Sequence, residues 1–141
     1  MTFLDLLQAE LLPAISPVGF VVVRSECFDS FDNAVVELHA PALRLRVVRE
    51  RSQVFVDIGP ASEPETWVDS DLVLEHLGLM SSTSQRSREA SPVLRGTAAL
   101  VVSNLAELSM LFDPQHLAAT KRAIQTIRGP ADNLPSAMWE D

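Results

Sequence analysis

The chain has 141 residues and a mass of 15.5 kDa, enough for one domain that buries roughly 68–70% of its unfolded surface. Hydrophobic residues make up 47% and the mean hydropathy is +0.15, which excludes a disordered or fibrous chain. With 19 acidic and 11 basic residues the formal net charge is −8, so nucleic acid is a poor partner on bulk electrostatics.

The N-terminal segment predicts an amphipathic helix. Thr2 and Asp5 have the spacing of a capping box. Apolar residues then recur at helical intervals, and Pro13 stands where we expect the helix to stop. These apolar residues are Phe3, Leu4, Leu7, Leu11 and Leu12.

The longest uncharged stretch, Leu11–Val23, has 13 residues and contains two prolines. It is too short and too interrupted to span a bilayer. No lysine or arginine precedes Arg24, so the basic lead of a signal peptide is missing. We therefore expect no membrane partner and a cytoplasmic location.

Between residues 18 and 58 the apolar period changes from that of a helix to that of a strand. The short connections between the segments require antiparallel neighbours, because a parallel crossover needs a dozen residues or more. The sequence thus predicts a four-stranded antiparallel meander. Its predicted strands are Val18–Ser25, Asn33–Ala40, Leu43–Glu50 and Gln53–Ile58.

The strand register follows from bringing the apolar residues to one face, since a slip by one residue would separate them. The Arg51-Ser52 connection lacks the Gly or Asn of a tight primed turn, which leaves either that turn or a four-residue loop. The predicted pairs are Leu38 with Leu45, Val36 with Val47, Val47 with Val56, and Leu45 with Ile58.

The opposite face, called the mixed face below, carries apolar and charged rows side by side. Such a mixture resembles an interface, with a hydrophobic centre and a polar rim, more than a solvated surface. We therefore predict that it contacts another protein or a second copy of the chain. Its residues are the charged row Glu37, Arg46 and Asp57, the pair His39 and Arg44, and the apolar row Val35, Val48 and Phe55.

An acidic, proline-containing loop leads to Trp67, where Thr66 and Asp69 again have capping-box spacing. This spacing predicts a helix that contains Trp67 and ends near Gly78. Trp67 has two interpretations: it anchors a basic partner, or it packs inward, which we favour. The acids around it are Glu63, Glu65, Asp69 and Asp71.

The C-terminal half predicts helices. Residues 81–90 are polar and predict a mobile loop. Ser91-Pro92 and Asp113-Pro114 mark helix starts, although 93–102 could also form a strand. The first of these helices is predicted over 93–112, the second ends at Gly129-Pro130, and 130–141 is a loose or docked tail.

The fold class is therefore α+β, a single domain in which the meander packs against about four helices, with an ordered core over 2–128.

The sequence offers no catalytic, metal or cofactor site. His39, His76 and His116 fall on three different predicted elements, and no Gly-x-Ser-x-Gly or Gly-rich phosphate motif is present. A lone cysteine, Cys27, excludes an internal disulfide and a cysteine-based zinc site. It could meet His39 as a thiolate pair, but a small buried hydrophobe is the favoured interpretation. We expect a protein that is not an enzyme.

The order of elements resembles that of small acidic bacterial proteins, some of which are immunity proteins of polymorphic toxin systems. The resemblance rests on Gly19-Phe20 entering a strand, on 51–58 (RSQVFVDI), on the Trp67-led helix and on the helix over 104–112. It implies a protein-binding module that neutralises a toxin, and the negative charge would steer a basic partner. The alternative is a small acidic secretion chaperone that binds an effector segment, for which dimerisation is expected.

Overall fold

The computed structural model describes residues 2–28, 33–79 and 88–128. These residues form a single α+β domain in which helices pack on one face of an antiparallel sheet, as predicted. The helices are α1 (Phe3–Glu10), α2 (Leu12–Ile15), α3 (Ser70–His76), α4 (Ala90–Ser103), α5 (Leu105–Leu111) and α6 (Leu117–Arg128).

The predicted capping box at α1 is confirmed. The Thr2 hydroxyl accepts a hydrogen bond from the Asp5 N–H at 3.1 Å, and the Asp5 carboxylate accepts one from the Thr2 N–H at 2.9 Å. The chain does not leave the helical conformation at Pro13, because proline is tolerated in the first turn of a new helix, α2. A short 3₁₀ turn, Ser16–Val18, follows and ends at Gly19, whose φ of 109° favours glycine.

The sheet contains five strands in the order β1-β2-β3-β4-β5, all antiparallel. The first strand begins three residues later than predicted, because the 3₁₀ turn occupies residues 16–18. The strands are β1 (Val21–Phe28), β2 (Asn33–His39), β3 (Leu43–Glu50), β4 (Gln53–Pro60) and β5 (Val68–Asp69).

The predicted register is confirmed at every pair. Leu38 lies opposite Leu45, and Val47 lies between Val36 and Val56, so the apolar residues meet on one face. Helices cover this face, and its side chains are buried together with those of α1, α2 and α4. The face consists of Ala34, Val36, Leu38, Leu43, Leu45, Val47, Val54, Val56 and Ile58.

The β3–β4 connection is the tight two-residue turn and not the four-residue loop, the two alternatives that the sequence left open. Glu50 pairs directly with Gln53, so Arg51 and Ser52 alone make the turn. Both have positive φ, 50° and 69°, as a type I′ turn requires. Neither residue is Gly or Asn, so this hairpin carries left-handed backbone at two positions that disfavour it.

The helix predicted to contain Trp67 begins later, at Ser70. Val68 and Asp69 form the fifth strand instead, and Asp69 caps α3 by accepting the Asp71 N–H at 2.8 Å. The predicted Thr66 cap is wrong: the Thr66 hydroxyl donates to the Glu63 carboxylate at 2.8 Å. Pairing of Val68 with Ile58 buries an apolar side chain that a helix start would have left at the surface.

Residues 93–102 are helical, within α4, which settles the choice between helix and strand. The predicted single helix over 93–112 is divided at Asn104, whose side-chain amide donates to the Leu100 carbonyl. Asp113 starts a turn before α6 by accepting the Gln115 N–H. The segments 29–32, 80–87 and 129–141, with most of the predicted loop and all of the predicted tail, lie outside the described residues.

Across residues 2–28, 33–79 and 88–128, every helix is too short or too polar to cross a membrane. The core formed by these helices and the sheet leaves the mixed face on the opposite side of the strands.

Candidate protein-binding face

A continuous charged row crosses the mixed face. Glu37 lies opposite Arg46, and Arg46 lies opposite Asp57, as predicted. The Arg46 guanidinium donates to one Asp57 carboxylate oxygen from Nη2 at 2.8 Å and from Nε at 3.1 Å. Arg24 of β1 extends the row, with its Nη1 3.7 Å from Glu37 Oε1. Opposite charges therefore alternate along four strands, an arrangement that stabilises cross-strand neighbours.

The predicted apolar row lies directly beside the charged one. Val35 pairs with Val48, and Val48 pairs with Phe55. All three side chains are half-buried, unlike the fully buried residues on the helix side of the same strands. The Arg88 guanidinium lies 4.8 Å from the centre of the Phe55 ring and also bonds Asp71 at 2.8 Å. A self-contained core would bury this row completely, whereas here it remains partly accessible.

Arg44 has a structural role at the β5 end of the face. It is only 4% exposed and donates to three backbone carbonyls at the end of β4 and in the loop that follows, those of Pro60 at 2.9 Å, Glu63 at 2.6 Å and Thr66 at 3.2 Å. Burial lowers the pKa of Arg44 from its usual value, and the nearby Glu37 carboxylate opposes that shift. A side chain buried and bonded in this way holds the loop and is closed to a partner.

Trp67 lies on the mixed face, half-buried, and not in the helix-covered core that we favoured for it. The centre of its ring is 4.2 Å from the Arg44 guanidinium carbon and 4.6 Å from that of Arg46. Stacking on two guanidinium groups is a cation–π arrangement. The ring thus packs against charged side chains of its own sheet, which is neither of the two predicted arrangements.

Gly59 allows this close packing of the loop on the sheet. A Cβ atom at this position would lie 2.3 Å from the Thr66 carbonyl oxygen and 3.3 Å from the Trp67 ring. No side chain fits in that space, so the loop rests directly on the β4 backbone. The sequence carries no signal for this contact, because Gly59 and Thr66 come together only in the folded chain.

Three of the four acids predicted to surround Trp67 have structural partners. Glu63 accepts from Lys121 Nζ at 2.9 Å, and this bond and the one from Thr66 lower the pKa of Glu63. Burial raises the pKa of Asp69, against the hydrogen bond from the Asp71 N–H, and the carboxylates of Asp71 and Asp57 raise it further. These contacts give Glu63, Asp69 and Asp71 structural roles at the loop and the α3 start, whereas Glu65 is exposed.

Cys27 is exposed, so the prediction that it is a small buried hydrophobe is wrong. It lies on the edge strand β1 opposite Ala34, where the neighbouring helices do not reach it. His39 lies opposite Val21, at the other end of the same strand pair, so Cys27 and His39 cannot form a thiolate–imidazole pair.

Among residues 2–28, 33–79 and 88–128, the structure contains no group of three His, Cys, Asp or Glu residues arranged to hold a metal ion.

The residues that sequence reasoning missed are on β1. Arg24, Glu26 and Phe28 share the mixed face with the predicted site, since they pair with Glu37, Val35 and Asn33. Their alternation along β1 was a readable signal, but the predicted strand ended at Ser25.

On the helix side, a groove of about 260 Å³ separates β1 from α1. The groove is lined by Leu4, Leu7, Gln8, Leu12, Val22, Ser25 and Val36.

The loop between β4 and β5 covers the β5 end of the mixed face, whereas the β1 end is left uncovered. Half-buried valines and Phe55 lie in the centre, and charged side chains held by neighbours surround them. Comparison of the chain with protein-family models, with curated proteins and with solved structures found no match.

Proposed function

We propose that this protein is a non-enzymatic protein-binding module that contacts its partner through the mixed face. The observation that carries the proposal is the half-buried row Val35–Val48–Phe55 beside the fixed row Glu37–Arg46–Asp57. Protein interfaces combine an apolar centre with a polar rim in this way. Because Arg46 is already held by Asp57 and Trp67, binding would order few additional side chains.

An immunity-type role, in which the chain neutralises a toxin, is the form of this function that the charge supports best. A formal charge of −8 steers a basic protein toward the chain and speeds association at low salt. A basic nuclease toxin has that charge, since its natural substrate is a polyanion. The resemblance of the element order to immunity proteins agrees with this role.

A secretion chaperone is the second candidate, and one observation favours it. The β1 edge and the groove between β1 and α1 are exposed and apolar, which suits an extended segment added as a further strand. The two candidates differ in what the partner does. A toxin is inhibited by the complex, whereas an effector is held for export.

The test begins with affinity purification of the tagged 141-residue chain from its native host, in three versions. These are the wild type, Phe55→Ser on the mixed face, and Met110→Ser as a matched control on α5, where the side chain is 53% exposed. We expect the wild type and the control to retain the same partner and Phe55→Ser to lose it while unfolding cooperatively. Retention by a folded Phe55→Ser variant would refute the mixed face as the site.

The second step decides between the two roles. The captured partner is expressed alone and together with each version of the chain. For an immunity-type protein, the partner alone stops growth, the wild type restores it, and Phe55→Ser does not. A partner that is harmless alone and fails to be exported without this chain would instead support the chaperone.

A further inference from the structure

The edge strand β1 is exposed along its whole length, unlike any other strand in the described part of the sheet. Val21, Val22, Val23 and Phe28 are 60, 45, 50 and 43% exposed. The opposite edge is occupied, since β5 pairs with β4 and the Val54 N–H donates to the Arg88 carbonyl at 2.8 Å. Long apolar edge strands readily pair with other chains.

The backbone groups that β1 offers can be assigned from its neighbours. The Ala40 N–H donates to the Leu43 carbonyl, so alternate residues of β2 counted back from Ala40 bond to β3. The remaining β2 residues bond to β1, where their partners include Arg24 and Glu26. Ser25 and Cys27 therefore direct their N–H and C=O groups outward, away from the sheet.

We propose that β1 pairs antiparallel with β1 of a second copy, about a two-fold axis that passes midway between the Ser25 residues of the two copies. In this register Ser25 lies opposite Ser25 of the other copy, and Arg24 lies opposite Glu26 of the other copy, twice by symmetry. The inference goes beyond the immunity-type role, because it concerns the chain's own assembly, and it assigns to a second copy the β1 edge that a chaperone would offer to its effector.

Charge complementarity selects this register over its neighbours. Because only alternate residues such as Ser25 and Cys27 direct their hydrogen-bonding groups outward, one β1 strand can slide along the other only in steps of two residues. A step of one residue would break the hydrogen-bond pattern. A step of two residues in one direction places Arg24 opposite Arg24, and a step in the other direction places Glu26 opposite Glu26. Like charges directly opposite each other destabilise a strand pair, whereas opposite charges stabilise it.

The geometry of β1 is compatible with this pairing. Its register shift lies between Val22 and Arg24, so the bulge is at Val23, and the strand is regular over the residues 24–26 that would pair. The groove beside α1 adjoins Val22 and Ser25, so it would border the second strand on the helix side. A two-fold axis perpendicular to the sheet keeps both mixed faces on the same side, so the dimer would present two partner sites on one surface.

Sedimentation of the purified chain tests the dimer without any partner. We expect a concentration-dependent monomer–dimer equilibrium for the wild type. Glu26→Arg should weaken it about tenfold or more, because two like-charge contacts replace two favourable ones. The double variant Arg24→Glu/Glu26→Arg should regain dimerisation, and Glu107→Arg, the same charge change at an exposed position on α5, should leave it unchanged.

Cysteine crosslinking tests the register. In the variant Ser25→Cys/Cys27→Ser, the new thiols would lie on opposed residues whose Cα atoms are about 5.5 Å apart, within disulfide range. This variant should form an intermolecular disulfide rapidly, and Val21→Cys/Cys27→Ser should not. A wild type that stays monomeric at every concentration would overturn the proposal, as would a dimer that neither loses affinity with Glu26→Arg nor crosslinks at position 25.

Discussion

Removing the Trp67 ring is the most informative perturbation of the mixed face, because the ring connects the loop to two arginines. Arg44 is buried and Arg46 is one-third exposed, so their contacts with the ring differ in strength. A desolvated cation–π contact is worth about 2 kcal/mol and an exposed one about 0.5–1 kcal/mol. Burial of roughly 100 Å² of the half-buried ring adds about 2.5 kcal/mol.

These contributions overlap, so Trp67→Ala should lower the free energy of unfolding by about 3–4 kcal/mol. Trp67→Leu is the matched control, because it keeps much of the apolar area and removes only the ring. It should cost about 2 kcal/mol, and the difference between the variants measures the apolar contribution. Urea unfolding followed by far-ultraviolet circular dichroism suits both variants, since fluorescence would change with the residue itself.

A loss below about 1 kcal/mol for Trp67→Ala would refute this reasoning. It would mean that the ring does not hold the loop on Arg44 and Arg46. Trp67 would then be free to serve a partner as an aromatic anchor, the alternative that the sequence left open.

Three further predictions concern single positions. Gly59→Ala should lower the unfolding free energy by about 2–3 kcal/mol in urea, because its Cβ would meet the Thr66 carbonyl oxygen. Because burial raises the pKa of Asp69, its ionisation costs stability as the pH rises from its unfolded pKa through the raised folded value. Asp69→Asn keeps a cap acceptor, so it should have a higher melting temperature than the wild type at neutral pH, a difference that disappears in acid below the unfolded pKa. Ser52→Gly should raise the unfolding free energy by about 0.5 kcal/mol, since glycine tolerates the φ of 69°, whereas Ser52→Val should lower it.

The sheet was predictable from the sequence because strand pairing here is a local problem. Short connections limit each strand to its chain neighbour, and alternation of apolar residues fixes the register of Leu38 with Leu45. The α1 cap was predictable for the same reason, since Thr2 and Asp5 are three residues apart. The break at Asn104 was not, because apolar residues continue on both sides of it.

The rows of residues that form the candidate site could be predicted from the sequence, but the burial and exposure of their side chains could not. Cross-strand neighbours such as Glu37 and Arg46 follow from the register. Burial of Arg44 depends on a loop that returns to the sheet from residues 60–66, and nothing in the local sequence encodes that return. Exposure of Cys27 depends likewise on where the helices end above β1.

Calorimetry at one salt concentration, comparing the affinity of the native partner for the wild-type chain and for Phe55→Ser, decides whether the mixed face is the binding site. If the mixed face binds the partner, Phe55→Ser should raise the dissociation constant by about 30-fold or more, the effect of losing about 2 kcal/mol at an interface centre. Met110→Ser should change it by less than about threefold. A folded Phe55→Ser variant that binds as tightly as the wild type would exclude the mixed face as the binding site.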